Sequence, residues 1–380
     1  MGVTTRRRPR IAVIGGGITG AFAAYFLARL DADVTIVERA AIGGGASGAN
    51  TGGLNPLHGT GIPGRLQKLA LESMELHRSS WDEIRRLSRM PVEIGIVSRL
   101  HVAMDERDAS ALEAMRGLHD ATPGYAARWM ERAELRETQP LVTRDAIGAL
   151  WTEGNVRVDP KPYVAAVVAA ASSMGTAVRQ GEARQLTSTG QRVTGVVVDS
   201  DHLPCDGLVV ATGAWCEEPS SWLAASLPVE PVKGDLVLVE TDSPRPVCDI
   251  SSGSAGVYTT AMDSFWLGGT EDRVGYDATP DSAARERILS GVKRLLPGLG
   301  ALRVVRHVAG LRPVTPNDMP IVGVPRGWEN VCVAVGSGRK GMLLGAGLGL
   351  ASAELLLRGR TRMSIDAFHP AAGVSGGQAR

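Results

Sequence analysis

Apolar residues near the start of the chain form two short runs on either side of a longer segment. Residues 11–14 are wholly apolar, as in a strand that is buried on both faces of a parallel sheet. Residues 18–30 are rich in alanine and other apolar residues, which favours a helix, and residues 34–37 form the next predicted strand. This order predicts a βαβ unit of about 30 residues.

The rest of the chain contains further predicted helices and strands, separated by turn residues. We predict helices over residues 66–87, 162–174, 282–296 and 342–357. We predict strands within residues 92–104 and 150–158, and over 176–179, 193–198, 207–211, 236–240, 256–260, 265–269 and 331–335. The strands in the middle of the chain indicate an antiparallel sheet. We therefore expect an α/β chain, α+β overall, in which one domain is assembled from both ends and a central piece and another is inserted between them.

A glycine motif separates the first predicted strand from the first predicted helix. Gly15, Gly17 and Gly20 occupy the glycine positions of G-x-G-x-x-G. The first allows a tight turn, the second lets the backbone approach a pyrophosphate, and the third lets helix and strand pack closely. Glu38 follows at the end of the second strand, where a carboxylate binds the ribose hydroxyls of a dinucleotide. The sequence therefore predicts a dinucleotide site, although these residues do not distinguish FAD from NAD.

Charge and cysteine content narrow the class of partner. The chain has 41 basic and 40 acidic residues, so no electrostatic argument favours nucleic acid or an anionic membrane as the main partner. Its four cysteines are spread out without zinc-type spacing. We therefore predict reduced thiols, no metal site and a cytoplasmic location.

Two segments resemble targeting or membrane signals. Residues 6–10 are basic and precede an apolar run, as in an export signal, but glycines interrupt that run where a dinucleotide fold requires them. We expect a disordered leader there instead. Residues 342–357 are apolar but shorter than the roughly 20 residues that a membrane span needs. We predict a buried helix for this segment and no transmembrane segment.

Four later segments resemble the D-amino acid oxidase, glycine oxidase and sarcosine oxidase family of FAD-dependent enzymes, and the glycine oxidase branch fits best. The loop at residues 46–54 resembles the family's flavin-contacting loop, and residues 156–160 resemble its V-D-P segment. Residues 209–215 resemble its A-T-G-x-W segment. Residues 310–316 with 320–323 resemble its G-x-R-P-x-T-P…P-x-x-G segment, which is the most specific of the four.

The resemblance implies a Rossmann-type FAD-binding domain with an interleaved antiparallel-sheet substrate domain. We expect the FAD-binding domain over residues 11–90, 150–220 and 305–370, the substrate domain over 91–149 and 221–304, a disordered leader over 1–10 and a disordered tail over 371–380. The FAD should be noncovalent. No cysteine stands in residues 310–316 and no histidine in residues 46–53, which are the positions that relatives use to attach flavin.

The resemblance also assigns cofactor contacts to residues from most of these segments. Gly15, Gly17, Gly20 and Glu38 would hold the ADP part, and Arg184 would contact adenine through its main chain. The complete predicted set is Gly15, Gly17, Ile18, Thr19, Gly20, Glu38, Arg39, Ser47, Asn50, Thr51, Gly52, Gly53, Leu54, Arg184, Thr212, Gly213, Trp215, Gly310, Gly338, Arg339, Lys340, Gly341 and Met342.

Three residues are candidates for contact with the substrate. Arg312 matches the family arginine that grips the substrate carboxylate, which a planar guanidinium does with two parallel hydrogen bonds. The alternative is that Arg312 pairs with Asp318 or caps the adjacent turn. Arg339 matches a second substrate-side arginine, and Tyr258 lies in the strand that supplies a substrate-contacting tyrosine in relatives. The alternative for Tyr258 is a plain sheet tyrosine, and the alternative near Arg339 is that its neighbour Lys340 serves the flavin instead.

Residues 336–341 form a second G-x-G-x-x-G. This motif allows a two-nucleotide interpretation, FAD plus NADPH. No acid follows at ribose distance, however, and no βαβ unit fits so near the end of the chain. In the resembled family this turn faces the pyrimidine edge of the flavin. A helix N-terminus there stabilises negative charge on the ring.

Three function hypotheses follow from these features. In the first, the chain oxidises the C–N bond of a small amino acid or amine by hydride transfer to flavin N5, and O2 is the acceptor. In the second, a dehydrogenase of the same architecture passes electrons to a quinone or a partner subunit. In the third, the chain is a nicotinamide-dependent dehydrogenase or an inert nucleotide-binding subunit. We expect a small-molecule substrate, and the oligomeric state, including a homo-oligomer, stays open.

Overall fold

The computed structural model of this protein describes residues 7–370. Residues 1–6 of the predicted leader and the whole predicted tail lie outside the described residues. Arg10, which the sequence analysis assigned to the leader, begins the first strand, and its guanidinium pairs with Asp206 at 3.1 Å. This ion pair fixes the start of the first strand in the sheet.

The helices alternate with strands along the chain. They are α1 Ile18–Arg29, α2 Gln67–Ser88, α3 Glu106–Asp120, α4 Arg132–Thr138, α5 Pro160–Ser173, α6 Glu217–Leu223, α7 Ser282–Leu295 and α8 Gly341–Arg358. Short 3-10 turns occur at Gly338–Lys340 and Asp366–Phe368.

The strands form three sheets. They are β1 Arg10–Ile14, β2 Asp33–Glu38, β3 Gly53–Leu54, β4 Ile94–Ala103, β5 Ala126–Glu131, β6 Gly148–Val158, β7 Ala177–Gln180, β8 Ala183–Thr189, β9 Arg192–Val198, β10 Asp201–Pro204, β11 Gly207–Val210, β12 Glu230–Thr241, β13 Asp249–Ser252, β14 Ala255–Thr259, β15 Phe265–Gly268, β16 Leu302–Val314, β17 Ile321–Gly323 and β18 Val331–Val335.

The first sheet has the order β17-β18-β11-β1-β2-β7. Its pairings are parallel except that of β17 with β18. The strands β1, β11 and β18 are almost wholly buried, as their continuous apolar runs predict. This is the Rossmann-type arrangement expected from the sequence, and β1-α1-β2 is its first βαβ unit.

The second, larger sheet has the order β16-β12-β15-β14-β13-β4-β6-β3, with β5 paired to β6. Most of its pairings are antiparallel, and β13 with β4 is parallel. Strands β6 and β16 belong here, although the expected domain boundaries at residues 150 and 305 place most of each in the FAD-binding domain. The division of the chain into two domains stays a prediction.

Strands β8, β9 and β10 form a separate antiparallel sheet. The strand that we expected over residues 193–198 is therefore part of this small sheet, whereas β11 returns to the parallel sheet. The small sheet covers one face of the parallel sheet, where Val196 and Val198 pack in the same apolar cluster as Val210.

Helix α8 crosses the centre of the molecule. Its glycines allow close approach to α1, where a β-carbon on Gly349 would lie 2.6 Å from the backbone nitrogen of Ala23. The segment from residue 338 to 358 is long and apolar enough to cross a membrane by length and composition, but 72% of its apolar window is buried inside the fold. The prediction of a buried core helix in this region is confirmed.

Candidate active site

A cavity of about 1690 Å³ lies between the carboxyl ends of the parallel strands and one face of the larger sheet. Ile14, Glu38 and Val335 line it from the parallel sheet, and Tyr258 and Arg312 line it from the larger sheet. This volume exceeds the roughly 300–1,000 Å³ of pockets for one drug-sized ligand. The cavity therefore has room for a dinucleotide together with a second, small molecule.

The glycine turn between β1 and α1 is packed too tightly for a side chain at Gly15 or at Gly20. Gly15 has φ +106°, and a β-carbon there would lie 2.3 Å from the carbonyl oxygen of Ala211. A β-carbon on Gly20 would lie 1.9 Å from the carbonyl oxygen of Gly15, so this glycine serves helix packing and does not line the cavity. Gly17 is the N-cap of α1, and Ser47 Oγ accepts a hydrogen bond from Ile18 N at 3.0 Å. The N-terminus of α1 therefore faces the cavity.

The Glu38 carboxylate lines the cavity and also holds the glycine turn. Its Oε2 accepts a hydrogen bond from Gly16 N at 2.7 Å, and its Oε1 accepts one from Ala40 N at 2.9 Å. A carboxylate has about four lone-pair sites, so acceptor capacity remains for a ribose. The residue predicted for ribose contact thus also fixes the backbone beside the phosphate-binding turn.

Arg39, Trp215 and Glu182 line one wall of the nucleotide end, and Tyr276 supports Trp215 from outside the lining. The guanidinium of Arg39 lies 4.1 Å from the centre of the Trp215 ring, and Trp215 stacks on Tyr276 with centroids 6.1 Å apart. Arg39 also lies 3.7 Å from the carboxylate of Glu182. This group combines two residues from the predicted cofactor set, Arg39 and Trp215, with two that the sequence analysis did not single out, Glu182 and Tyr276.

The loop between β2 and β3 is held in shape by Asn50. Its Nδ2 donates to the carbonyl oxygens of Ala46 and Ser47, and its Oδ1 accepts from Gly52 N at 2.7 Å. Gly52 has φ +74°, and a β-carbon there would lie 1.8 Å from the carbonyl oxygen of Val158. These contacts present the loop's backbone to the cavity.

Lys340 joins the N-terminus of α8 to the loop after β3. It is the N-cap of α8, and its Nζ donates hydrogen bonds to the carbonyl oxygens of Asn55, at 2.9 Å, and His58. Burial, together with a smaller effect of the nearby positive charge of Arg99, lowers the pKa of Lys340 to about 7. The second glycine motif is thus a turn that opens a core helix. Because β18 pairs only with β11 and antiparallel β17, this motif does not begin a second βαβ unit.

The guanidinium of Arg312 lies flat on the larger sheet. A β-carbon on Gly234 would lie 2.3 Å from its Cζ, and one on Gly269 would lie 3.4 Å from Nη2. Nη1 donates to the carbonyl oxygen of Thr270 at 2.8 Å. Within residues 7–370 Arg312 forms no ion pair, and its hydrogen-bond acceptor is Thr270. The alternative roles for Arg312, a pair with Asp318 or a cap on the adjacent turn, are therefore not what the structure has. Burial lowers the pKa of Arg312, and the carboxylate of Glu271 opposes this effect.

Arg339 lies beside Arg312 but is already paired. Its Nη2 contacts Oε2 of Glu271 in a partly exposed ion pair. The positive charge of Arg339 lowers the pKa of Arg312. Arg339 therefore holds Glu271, a residue that the sequence analysis did not assign to the site.

Tyr258 lies next to a buried polar network that the sequence analysis did not predict. The Arg99 guanidinium lies 5.2 Å from the centre of the Tyr258 ring and pairs with Asp249 at 3.0 Å. Its Nη1 donates to His58 Nε2 at 2.7 Å, so the proton of neutral His58 is on Nδ1. Burial lowers the pKa values of His58 and His101 well below their ordinary range. Arg99, His58 and His101 all line the cavity.

Most of the predicted site residues line this one cavity. They are Gly15, Gly17, Ile18, Thr19, Glu38, Arg39, Ser47, Asn50, Thr51, Gly53, Thr212, Gly213, Trp215, Tyr258, Gly310, Arg312, Gly338, Arg339, Lys340, Gly341 and Met342. Gly20, Gly52 and Leu54 lie just behind it. Arg184 points away and pairs with Glu182 at 2.5 Å, and Glu182 and Ala183 line the cavity in its place. His307 is outside the lining and bonds to buried Asp235 at 2.8 Å.

The cavity fits FAD. The N-termini of both α1 and α8 lie in its wall, and neither helix has an acidic residue in its first turn, so the positive ends of both helix dipoles are available to a ligand. The N-terminus of α1 suits a diphosphate, and the N-terminus of α8 suits a ring that becomes anionic on reduction. A β-carbon on Gly338 would meet no atom within 4 Å, which leaves open space beside the second terminus. Within the described residues no cluster of metal-binding side chains occurs.

Comparison with known proteins agrees with this geometry. The family model described as FAD dependent oxidoreductase matches residues 10–355. The glycine oxidase of Geobacillus kaustophilus is 27% identical over 368 residues, which cover 94% of this chain and 95% of that protein. The glycine oxidase of Bacillus subtilis is 24% identical over 352 residues, which cover 93% of this chain and 94% of that protein.

Solved structures show the same fold. The crystal structure of the Geobacillus kaustophilus glycine oxidase superposes with a TM-score of 0.88 at 25% identity, covering 95% of this chain and 98% of that chain. The iminodiacetate oxidase of Chelativorans sp. BNC1 superposes with a TM-score of 0.85 at 23% identity, covering 95% and 99%.

Proposed function

This chain belongs to the family of FAD-dependent oxidoreductases, and from that membership we propose that it oxidises the carbon–nitrogen bond of a small amino acid or amine. The product is an imine, which water hydrolyses. Glycine, sarcosine and D-amino acids are the substrates that we would test first. The similarity to glycine oxidases, at 27% and 24% identity, supports a substrate of this size.

The observation that carries the proposal is the guanidinium of Arg312, which donates one hydrogen bond, to the carbonyl oxygen of Thr270, and forms no ion pair with any described residue. It is largely buried, lies in the same cavity as the glycine turn, and has no carboxylate partner within residues 7–370. A buried cation without a counter-ion is costly unless a ligand supplies the opposite charge. A substrate carboxylate supplies that charge and accepts two parallel hydrogen bonds from the planar guanidinium.

The chain's own residues position the substrate. Arg312 would fix the carboxylate, and the ring of Tyr258 would form the wall beside it. When bound, FAD accepts the hydride that leaves the substrate's α-carbon. The surrounding residues then have to hold the α-carbon in one place. The substrate nitrogen has to be neutral when the hydride leaves, so an ammonium group first releases a proton to solvent, and the transfer itself requires orientation and no general base.

The electron acceptor and the location are part of the same proposal. We take O2 as the acceptor and the cytoplasm as the compartment. The four cysteines support a reducing compartment, because all four are buried and unpaired. A quinone or partner protein as acceptor is the outcome that the experiment below distinguishes.

The test is an anaerobic titration of the purified yellow protein with glycine, sarcosine and D-alanine. We expect at least one of them to bleach the flavin spectrum, and we expect peroxide when air is admitted. Bleaching without peroxide, followed by rapid reduction of an artificial quinone, would make the protein a dehydrogenase. No bleaching by any amine or amino acid would refute the proposal.

The variant Arg312→Ala tests whether Arg312 binds the substrate carboxylate. This variant should keep its flavin and lose bleaching by carboxylate substrates, because nothing then neutralises the substrate's charge. Arg303→Ala is the matched control, since Arg303 lies on the same strand and pairs with Glu240 at the exposed surface. If Arg312→Ala were reduced as well as the parent, the assigned role would be wrong.

A further inference from the structure

Glu271 stands at a defined position in the substrate end of the cavity. The residue before it, Thr270, is fixed twice: its carbonyl oxygen accepts from Arg312 at 2.8 Å, and its Oγ1 accepts from Asp235 N at 3.1 Å. The residue after it, Asp272, exchanges two backbone hydrogen bonds of 2.9 Å with Lys233. The backbone of Glu271 is therefore held on both sides, next to the guanidinium of Arg312.

Only one of the two carboxylate oxygens of Glu271 has a partner among the described residues. Oε2 is paired with Arg339, and Oε1 accepts no hydrogen bond from any residue that the structure describes. The side chain is 42% exposed and lines the cavity. The charged carboxylate of Glu271 thus lines the same cavity as the N–H groups of Arg312 that have no acceptor.

The neighbouring carboxylates are not available in this way. Both oxygens of Asp272 accept from Arg287, at 2.8 and 2.7 Å. Asp249 does not line the cavity, and both of its oxygens already accept hydrogen bonds, one from Arg99 and two from Thr259. Glu271 is the carboxylate of this region that combines a fixed backbone, a free oxygen and proximity to Arg312.

Charges of alternating sign follow from this arrangement. Arg312 is positive, Glu271 is negative, and Arg339 is positive beyond it. An α-amino acid in water carries a carboxylate and an ammonium group one carbon apart. We propose that Glu271 binds the ammonium group of the substrate while Arg312 binds its carboxylate, so that the site selects zwitterionic amino acids over simple carboxylic acids. This inference rests on the proposed function, which it makes more specific.

Arg339 acts as a positioning residue in this scheme. Its bond to Oε2 keeps the carboxylate from turning toward Arg312 and neutralising it. Without such a partner, Glu271 would compete with the substrate carboxylate for Arg312. The ion pair therefore keeps both ends of the zwitterion site open.

The test uses two ligands that cannot be oxidised. α-Aminoisobutyrate has no α-hydrogen, so it binds as a zwitterion without reaction, and isobutyrate is the same molecule without the amine. Their dissociation constants are measured from the perturbation of the flavin spectrum of the holoenzyme. We expect Glu271→Gln to weaken α-aminoisobutyrate by about tenfold or more, as for a lost charge-assisted hydrogen bond. Isobutyrate should bind as well as before, or better.

The controls separate this role from others. Glu230→Gln removes the same charge from a surface pair with Arg273 and should change neither constant. Glu271→Asp keeps the charge and should recover part of the affinity for α-aminoisobutyrate. Equal loss of both ligands in Glu271→Gln, or no loss of either, would overturn the inference. Failure of the proposed function would appear separately, as an absence of bleaching by oxidisable amino acids in the parent enzyme.

Discussion

A β-carbon on Gly234 would lie 2.0 Å from Nη1 of Arg312. Gly234 is on β12 and Arg312 is on β16, and these strands are neighbours in the larger sheet. The long arginine side chain therefore crosses its neighbouring strand only because that strand has no side chain at residue 234. Tyr258 lies over a glycine of its own strand, because its hydroxyl would lie 2.5 Å from a β-carbon on Gly256, two residues earlier in β14. Both candidate substrate residues, Arg312 and Tyr258, therefore pack directly against glycines of the larger sheet.

Gly234→Ala should displace the guanidinium and leave the cofactor site intact. Because a shift of about 1 Å in a positioning group costs up to roughly a hundredfold in rate, we expect the amino acid concentration for half-maximal flavin reduction to rise about tenfold or more. Gly95→Ala is the control, since a β-carbon there meets only an arginine nitrogen at 3.7 Å. Unchanged reduction in Gly234→Ala would show that the position of Arg312 does not matter.

Gly15→Ala should abolish flavin binding. The substitution strains a residue at φ +106° and also places a β-carbon 2.3 Å from the backbone of Ala211. Gly175→Ala isolates the first effect, because Gly175 has φ +107° and no atom lies within 4 Å of its β-carbon. The ratio of flavin to protein absorbance after purification is the measurement. We expect a colourless Gly15→Ala protein and a yellow Gly175→Ala protein, and equal flavin content would contradict the assignment.

The flavin should be released when the protein is denatured. None of the four cysteines lines the cavity, and all are buried elsewhere. His58 and His101 do line it, but Arg99 donates to His58, and His101 is bonded within the sheet to Thr152 and Ser251. Acid precipitation followed by filtration should leave all the yellow colour in the filtrate. Colour retained in the protein pellet would mean a covalent link.

The sequence was informative where a local pattern determines the structure. The glycine turn, the first βαβ unit and the Asn50 loop are short segments whose residues interact mainly with each other, so their spacing was enough. Helix α3 carries a local signal that we missed. Asp105 is its N-cap and accepts from Asp108 N at 2.9 Å, and Glu106 and Asp108 lie in its first turn.

The remaining parts depend on distant residues. Arg99 and Asp249 are 150 positions apart, and only the parallel pairing of β4 with β13 brings them together. Strand β16 contains Pro313 and several charged residues without clear alternation, and it is a strand because it pairs with β12 along its length. Arg184 is a case of a different kind. The segment around it reaches the cavity through Glu182 and Ala183, while the Arg184 side chain pairs with Glu182, and its predicted main-chain contact with adenine stays a prediction.

Acid should destabilise the protein, and His77 should account for a large part of the effect. His77 is wholly buried between α2, α5 and α8, where Nδ1 accepts from the Tyr163 hydroxyl at 2.7 Å and Nε2 donates to the carbonyl oxygens of Met342 and Leu343. Burial lowers the pKa of His77 from 6.5 to about 4. In the unfolded chain the ring is protonated below about 6.5. The folded state therefore binds fewer protons between pH 6.5 and pH 4, so stability is full above pH 6.5 and falls as the pH drops through this window.

A neutral residue at position 77 should flatten this dependence. A shift of this size corresponds to about 3 kcal/mol of unfolding free energy between pH 7 and pH 4. His77→Gln keeps a donor and an acceptor without a titrating ring, so its urea-unfolding free energy should fall less over the same range, by about that amount. His202→Gln, on the exposed strand β10, should keep the parent's slope. The buried histidines His58 and His101 shift in the same direction, so some dependence should persist in His77→Gln. Parallel curves for parent and His77→Gln would show that this histidine is not held neutral by the fold.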